Sequence, residues 1–272
     1  MTDLSGIDWQ DAFANGDYIP DGMTYPDRWA ARAATYRTTT SAELDLAYGL
    51  GARNTLDLFL PEGSPRGLAV IVHGGYWLAF DKSSWSDLAE GARVLGWAVA
   101  MPSYTLAPSA TVPEITREIA AAITFAAQKI DGPIRLTGHS AGGHLVTRML
   151  CDDSPLAPGV ADRIERVVSI SGLHDLRPLR AHSMNDKLAL TEETAISESA
   201  ALHTPLPGAR VTAWVGALER PEFLRQSALL TEAWGLKGLE TNLVAAPGKH
   251  HFDVIDGLKT PDHPLTLAYA GD

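Results

Sequence analysis

The chain holds a single cysteine, Cys151, in 272 residues. An intramolecular disulfide is therefore excluded, and so is a cysteine-based metal site. Cys151 follows a helical apolar run, where a buried small hydrophobe is the expected role rather than a nucleophile. Basic blocks and stripes are also missing. Lys and Arg total 22 against 33 Asp and Glu, a formal net charge of -11, which argues against a nucleic-acid partner. No apolar run approaches the length of a membrane span, so no membrane association is expected. Met1-Thr-Asp-Leu-Ser5 lacks the positive n-region and apolar h-region of a secretory signal, and the expected location is the cytoplasm. Neither H-E-x-x-H nor G-x-x-x-x-G-K-[ST] occurs, which removes a zinc-peptidase helix and a P-loop. The sequence calls for no metal and no cofactor.

What the chain does contain is an alternation of short apolar runs. Glu43-Leu-Asp-Leu-Ala-Tyr48 and Asn54-Thr-Leu-Asp-Leu-Phe-Leu60 alternate apolar and polar residues around Gly49-Leu-Gly51, which predicts an antiparallel hairpin. Leu68-Ala-Val-Ile-Val72 is continuously apolar, as in a strand buried on both faces. Helical and strand-like segments then follow in turn. Trp85, Leu88, Ala89, Ala92 and Leu95 lie at helical spacing, followed by the strand-like Trp97 to Met101. A helix around Ile115 to Ala126 leads to Pro133-Ile-Arg-Leu-Thr137. Strand-like runs at 166–171, 211–215 and 240–245 follow, with a helix from Pro221 to about Trp234 between the last two. One domain over residues 1–272 is expected, of the α/β class. It comprises a mostly parallel sheet with helices on both faces and an N-terminal antiparallel hairpin. The less regular stretch 173–207 is the place for a cap or lid. Residues 1–40 are rich in aromatics and are expected to fold back over the domain, either onto a site or along a sheet edge.

The densest chemical signal is Gly138-His139-Ser140-Ala141-Gly142, a G-x-S-x-G between a strand-like and a helix-like run. At such a sharp turn the serine hydroxyl is presented at the carboxyl end of the strand, and the following amide, that of Ala141, points to where a reacting carbonyl oxygen sits. A serine hydroxyl needs an imidazole to take its proton, and the imidazole needs a carboxylate to fix its tautomer. His251, opening His251-Phe252-Asp253 after the last strand, fits the base; its neighbour His250 is the rival. His144, one helical turn beyond Ser140, is expected to pack or support rather than react. For the acid, Glu219 lies in the loop before Pro221, free to turn toward His251. Glu222 in the first helical turn and Asp175 after the preceding strand remain alternatives. The order serine, acid, histidine is that of α/β-hydrolases. His73-Gly74-Gly75-Tyr76-Trp77, at the end of an earlier strand, supplies the second half of an oxyanion hole through the amide of Gly75 or Tyr76.

These motifs resemble the α/β-hydrolase superfamily along nearly the whole chain, and within it the kynurenine formamidase (arylformamidase) and esterase branch. His73-Gly-Gly-Tyr-Trp77, Gly138-His-Ser-Ala-Gly-Gly-His144 and His251-Phe-Asp253 carry the resemblance, and Glu219-Arg-Pro-Glu-Phe223 is similar to the acid-bearing loop. That branch usually has Asp where Glu219 stands. The resemblance implies hydrolysis of N-formyl-kynurenine to kynurenine and formate through a formyl-enzyme at Ser140. Tyr76, Trp77 and Trp85 are candidates to line a pocket for a flat aryl group, or else core aromatics. Two readings stay open beside it. One is a carboxylesterase for short-chain or aryl esters; the other is a non-catalytic binding module of the same fold. The expected partner is a small amide or ester substrate, and a homodimer stays open.

Overall fold

Residues 6–157 and 159–272 are described by the computed structural model; the Met1–Ser5 stretch, read above as leaderless, lies outside them. Eight strands form one sheet: β1 (Ala42–Ala47), β2 (Thr55–Phe59), β3 (Leu68–Val72), β4 (Ala98–Pro102), β5 (Ile134–His139), β6 (Ile164–Ile170), β7 (Arg210–Gly216) and β8 (Glu240–Ala246). Their order across the sheet is β1-β2-β4-β3-β5-β6-β7-β8. β1 pairs antiparallel with β2 and β2 with β4, while every other pair is parallel. The expected hairpin therefore forms the edge of an otherwise parallel sheet.

β3 shows why the apolar run at 68–72 must lie inside. Successive side chains of a strand point to opposite faces. Leu68, Val70 and Val72 accordingly enter one buried cluster and Ala69 and Ile71 another. The first cluster is closed by α4 (Val112–Lys129), α5 (Ala141–Arg148) and α8 (Pro221–Gly235) through Ile115, Ile119, Leu145, Phe223 and Leu230. The second is closed by α2 (Tyr25–Thr39), α3 (Glu90–Val94) and α9 (Pro264–Ala270) through Trp29, Ala92, Leu265 and Tyr269. α4 is well started: the Thr111 amide and hydroxyl both bond the Glu114 carboxylate, and Pro113 sits in the first turn.

Two segments depart from the sheet-and-helix rhythm. The excursion after β6 holds only short elements, α6 (Asn185–Leu188) and α7 (Glu192–Ser197) with 3-10 turns around them. Before the hairpin, α1 (Trp9–Ala12) and α2 run back over the carboxyl ends of the central strands. The Gln10 side chain bonds the Ala181 carbonyl at 3.5 Å and accepts from Ser183 at 2.9 Å, tying α1 to the excursion. Among the described residues no helix is long and apolar enough to cross a membrane.

Candidate active site

Ser140 stands between β5 and α5 with φ 55° and ψ -116°. A non-glycine residue in this region is strained, and the surroundings hold it there. The Ser140 amide donates to the Ile170 carbonyl at 2.8 Å, and its carbonyl accepts from His144 at 3.1 Å, so the residue ends one element and starts the next. The flanking glycines are required by contact: a Cβ on Gly142 would overlap the Val72 carbonyl oxygen, and one on Gly138 the Gly142 carbonyl oxygen.

His251 and Glu219 are brought together from separate loops. His251 Nδ1 donates to Glu219 Oε2 at 2.6 Å, with both side chains buried. The other carboxylate oxygen accepts from the Gly216 amide at 2.7 Å and from the Ser171 hydroxyl at 2.5 Å. Three donors thus fix one carboxylate, and it in turn fixes the imidazole tautomer with Nε2 free of a proton. The Phe223 ring packs at 4.5 Å from the imidazole. His139 Nε2 donates to the His251 carbonyl at 2.8 Å and holds that backbone from the other side.

The alternatives sit elsewhere. His250 Nε2 meets the Tyr25 hydroxyl at 3.1 Å, and its Nδ1 faces Asp253. Glu222 is paired with Arg225 and accepts from Gln226, whose own carboxamide oxygen takes the amides of His174 and Asp175. Asp175 forms a two-point pair with Arg177 within its own turn. His144 is buried and donates to the Glu198 carbonyl at 2.7 Å, with its pKa pushed down to about 3 by burial.

Ser140 and His251 line one cavity of about 260 Å³, together with Gly75, Tyr76 and His139. Among the described residues no direct hydrogen bond joins the Ser140 hydroxyl to His251; such bonds are often long before substrate binds. The amides of Gly75, Tyr76 and Ala141 likewise donate to no acceptor among the described residues. Tyr76 and Trp77 have φ of 52° and 59°. This pair of left-handed residues turns the Tyr76 ring to the cavity and Trp77 inward, where it is fully buried 5.1 Å from the His144 ring. Of the aryl-pocket candidates, Tyr76 and Trp85 line the cavity and Trp77 belongs to the core. His73 is also structural. It stacks on Tyr104 with ring centres 4.2 Å apart, and burial pushes its pKa down to about 4.

The remaining wall was not located by motif. Phe13 to Gly16 and Trp29 from the N-terminal segment, with Phe80 and Phe252, complete the cavity. None of residues 173–207 is part of the lining. The N-terminal wall is pinned by the Tyr76 hydroxyl, which donates to the Phe13 carbonyl at 2.7 Å, and by an ion pair of Arg220 with Asp11. The Arg220 guanidinium also lies 3.7 Å over the Tyr18 ring. The aromatic richness of residues 9–36 was the one signal that pointed to this wall.

Away from the cavity, Cys151, Asp153 and His203 could reach one ion. Arg148 grips Asp153 through both carboxylate oxygens, so that carboxylate is already engaged.

The sequence model of the BD-FAE family matches residues 56–206. Kynurenine formamidase of Danio rerio is 28% identical over 240 residues, 85% of this chain and 81% of the relative. Kynurenine formamidase of Salmo salar is 27% identical, over 97% of this chain and 92% of its own length. A crystal structure from Silicibacter sp. TM1040, provisionally termed a thioesterase, superposes with a TM-score of 0.93 at 52% identity and covers 97% of this chain and 99% of that one.

Proposed function

The chain belongs to the BD-FAE family and is an α/β-hydrolase of the arylformamidase and esterase branch, and we propose that it is a serine hydrolase that splits small aryl formamides and aryl esters through an acyl-enzyme. The observation that carries this reading is the 2.6 Å contact of Glu219 with His251 beside the cavity that Ser140 lines.

In the proposed cycle the Ser140 hydroxyl adds to the substrate carbonyl carbon as His251 Nε2 takes its proton. Glu219 stays ionised and stabilises the imidazolium. The developing oxyanion accepts from the Ala141 amide and from that of Gly75 or Tyr76, each donor worth about 3 kcal/mol in such sites. The tetrahedral adduct collapses as the imidazolium gives its proton to the leaving nitrogen or oxygen, and the aryl amine or phenol departs. Water then adds to the acyl-enzyme with His251 again as base, releasing the acid and restoring Ser140. An aryl amine leaves less readily than a phenoxide, so proton delivery weighs more for a formamide.

The kynurenine formamidases among the relatives support N-formyl-kynurenine as the substrate, cleaved to kynurenine and formate. The aromatic cavity walls support a flat ring in either case. Turnover of N-formyl-kynurenine against 4-nitrophenyl acetate tests the choice. The formamide reading expects kcat/KM for N-formyl-kynurenine to exceed that for the ester, and is contradicted if only the ester is consumed.

A further inference from the structure

The cavity is nearly bare of polar side chains. None of its lining residues is Lys, Arg, Asp or Glu, and outside Ser140, His139 and His251 the polar side-chain atoms belong to Tyr76, to Asn15 and to the indole N–H groups of Trp29 and Trp85, which are buried and can only donate. Tyr76 is already engaged, donating to the Phe13 carbonyl at 2.7 Å and approached by Asn15 Nδ2 at 3.4 Å. Asn15 is different. It is only 6% exposed, it precedes a 3-10 turn without capping it, and that one long contact is the whole of its side-chain bonding among the described residues. A carboxamide offers two N–H donors and an oxygen with two lone pairs, so one donor and the oxygen stay unused. The oxygen is not among the fully buried unpartnered atoms, so it opens to the cavity, where a group that enters can complete it.

We propose that Asn15 is a specificity-determining residue, which hydrogen-bonds a neutral polar substituent, such as a ring-borne carbonyl, on the aryl group of the substrate. The proposal rests on reading this cavity as the substrate site, and it goes beyond that reading in naming the residue that recognises what the aryl group carries. A neutral group is specified because a carboxylate would enter a cavity whose described lining offers it no cation. Asn15 reaches the site from the far end of the chain, about 125 residues before Ser140. The pocket that accepts the ring thus takes its polar contact from a different segment than the one that performs the chemistry.

The test needs no turnover. Acetophenone and ethylbenzene have nearly the same shape, and only the first has the carbonyl. Each is titrated into the wild-type protein and into Asn15→Leu, which keeps the volume and removes the hydrogen bond, with the fluorescence of Trp29 and Trp85 as the signal. The ratio of the two affinities is expected to fall about three- to tenfold in Asn15→Leu, the range for one neutral hydrogen bond. Asn15→Ser, which retains a short donor and acceptor, recovers part of the ratio. An unchanged ratio, or an equal loss for both ligands, overturns the proposal and leaves Asn15 as a wall. A failure of the hydrolase reading shows separately, as aryl acetates that the wild-type protein does not cleave while the affinity ratio still responds to Asn15.

Discussion

Glu219 Oε2 lies 2.6 Å from His251 Nδ1, and the second oxygen of the same carboxylate is held by the Gly216 amide and the Ser171 hydroxyl. The carboxylate is therefore held by three donors. This contact distinguishes Glu219 from Glu222 and Asp175, whose carboxylates are bound to Arg225 and Arg177. In Glu219→Gln the carboxamide cannot hold the imidazole in the required tautomer. Turnover should fall by roughly 10³ to 10⁴ in kcat. Glu222→Gln and Asp175→Asn should each stay within about tenfold of wild type in the same assay, since neither touches His251. A larger loss in Glu222→Gln than in Glu219→Gln would reassign the acid.

The Tyr76 hydroxyl is the pin between the loop after β3 and the N-terminal wall. Tyr76→Phe leaves the Phe13 carbonyl with only the Asn15 backbone amide, at 3.0 Å, as donor. A loss of about 0.5 to 1.5 kcal/mol is expected in urea unfolding. The affinity for aryl ligands should weaken with it, because the wall that Phe13 to Gly16 provide is released. Unchanged stability would mean that water replaces the hydroxyl and that the wall is held by Arg220 instead.

At the turn around Ser140, Gly142 faces the Val72 carbonyl with no room for a methyl group. Backbone is the obstacle, so side-chain adjustment cannot relieve it. Gly142→Ala should destabilise the fold by about 3 kcal/mol or more and abolish labelling of Ser140. Thermal melting with circular dichroism checks it; a Tm within a degree of wild type would contradict the packing described.

Several buried histidines make stability depend on pH. Burial lowers His73 to about 4 and His144 and His174 to about 3, all below the ordinary value of 6.5. As pH falls below 6.5 the unfolded chain binds protons that the native state refuses. Their stabilisation is thus complete above 6.5 and is lost progressively down to about 4 or 3, after which the native groups protonate too. Each contributes a loss of about 2 kcal/mol between pH 7.5 and pH 5. Urea midpoints should drop steadily over that interval. A flat or rising profile would show that these rings protonate inside the native protein.

Much of the architecture could be read from sequence because it rests on local patterns. The continuous apolar run 68–72, the alternating hairpin strands and the G-x-S-x-G between strand and helix each impose a conformation on a few neighbouring residues. Glu219 was separable from Glu222 because Pro221 marks where the helix begins. Trp77 was not placed, because its direction depends on two successive left-handed residues, Tyr76 and Trp77, that no periodicity announces. Trp85 precedes the regular helix instead of opening it: a 3-10 turn at Ser86–Ala89 comes between it and α3. Phe13, Asn15 and Phe252 reach the cavity through packing between distant segments: the aromatic richness of residues 9–36 points only broadly to Phe13, Phe252 is marked only as the neighbour of His251, and nothing local marks Asn15. The support of Ser171 for Glu219 was missed for the same reason, since its hydroxyl is aimed by a positive φ of 51° just after β6.

Labelling by a fluorophosphonate, read by intact mass and peptide mapping, reports whether Ser140 is an activated nucleophile. The account predicts one adduct per chain, on the peptide that contains Ser140. It predicts no adduct in Ser140→Ala, and labelling slowed by at least a hundredfold in His251→Ala. An adduct on another residue, or Ser140→Ala protein that still turns over an aryl ester at the wild-type rate, would contradict it.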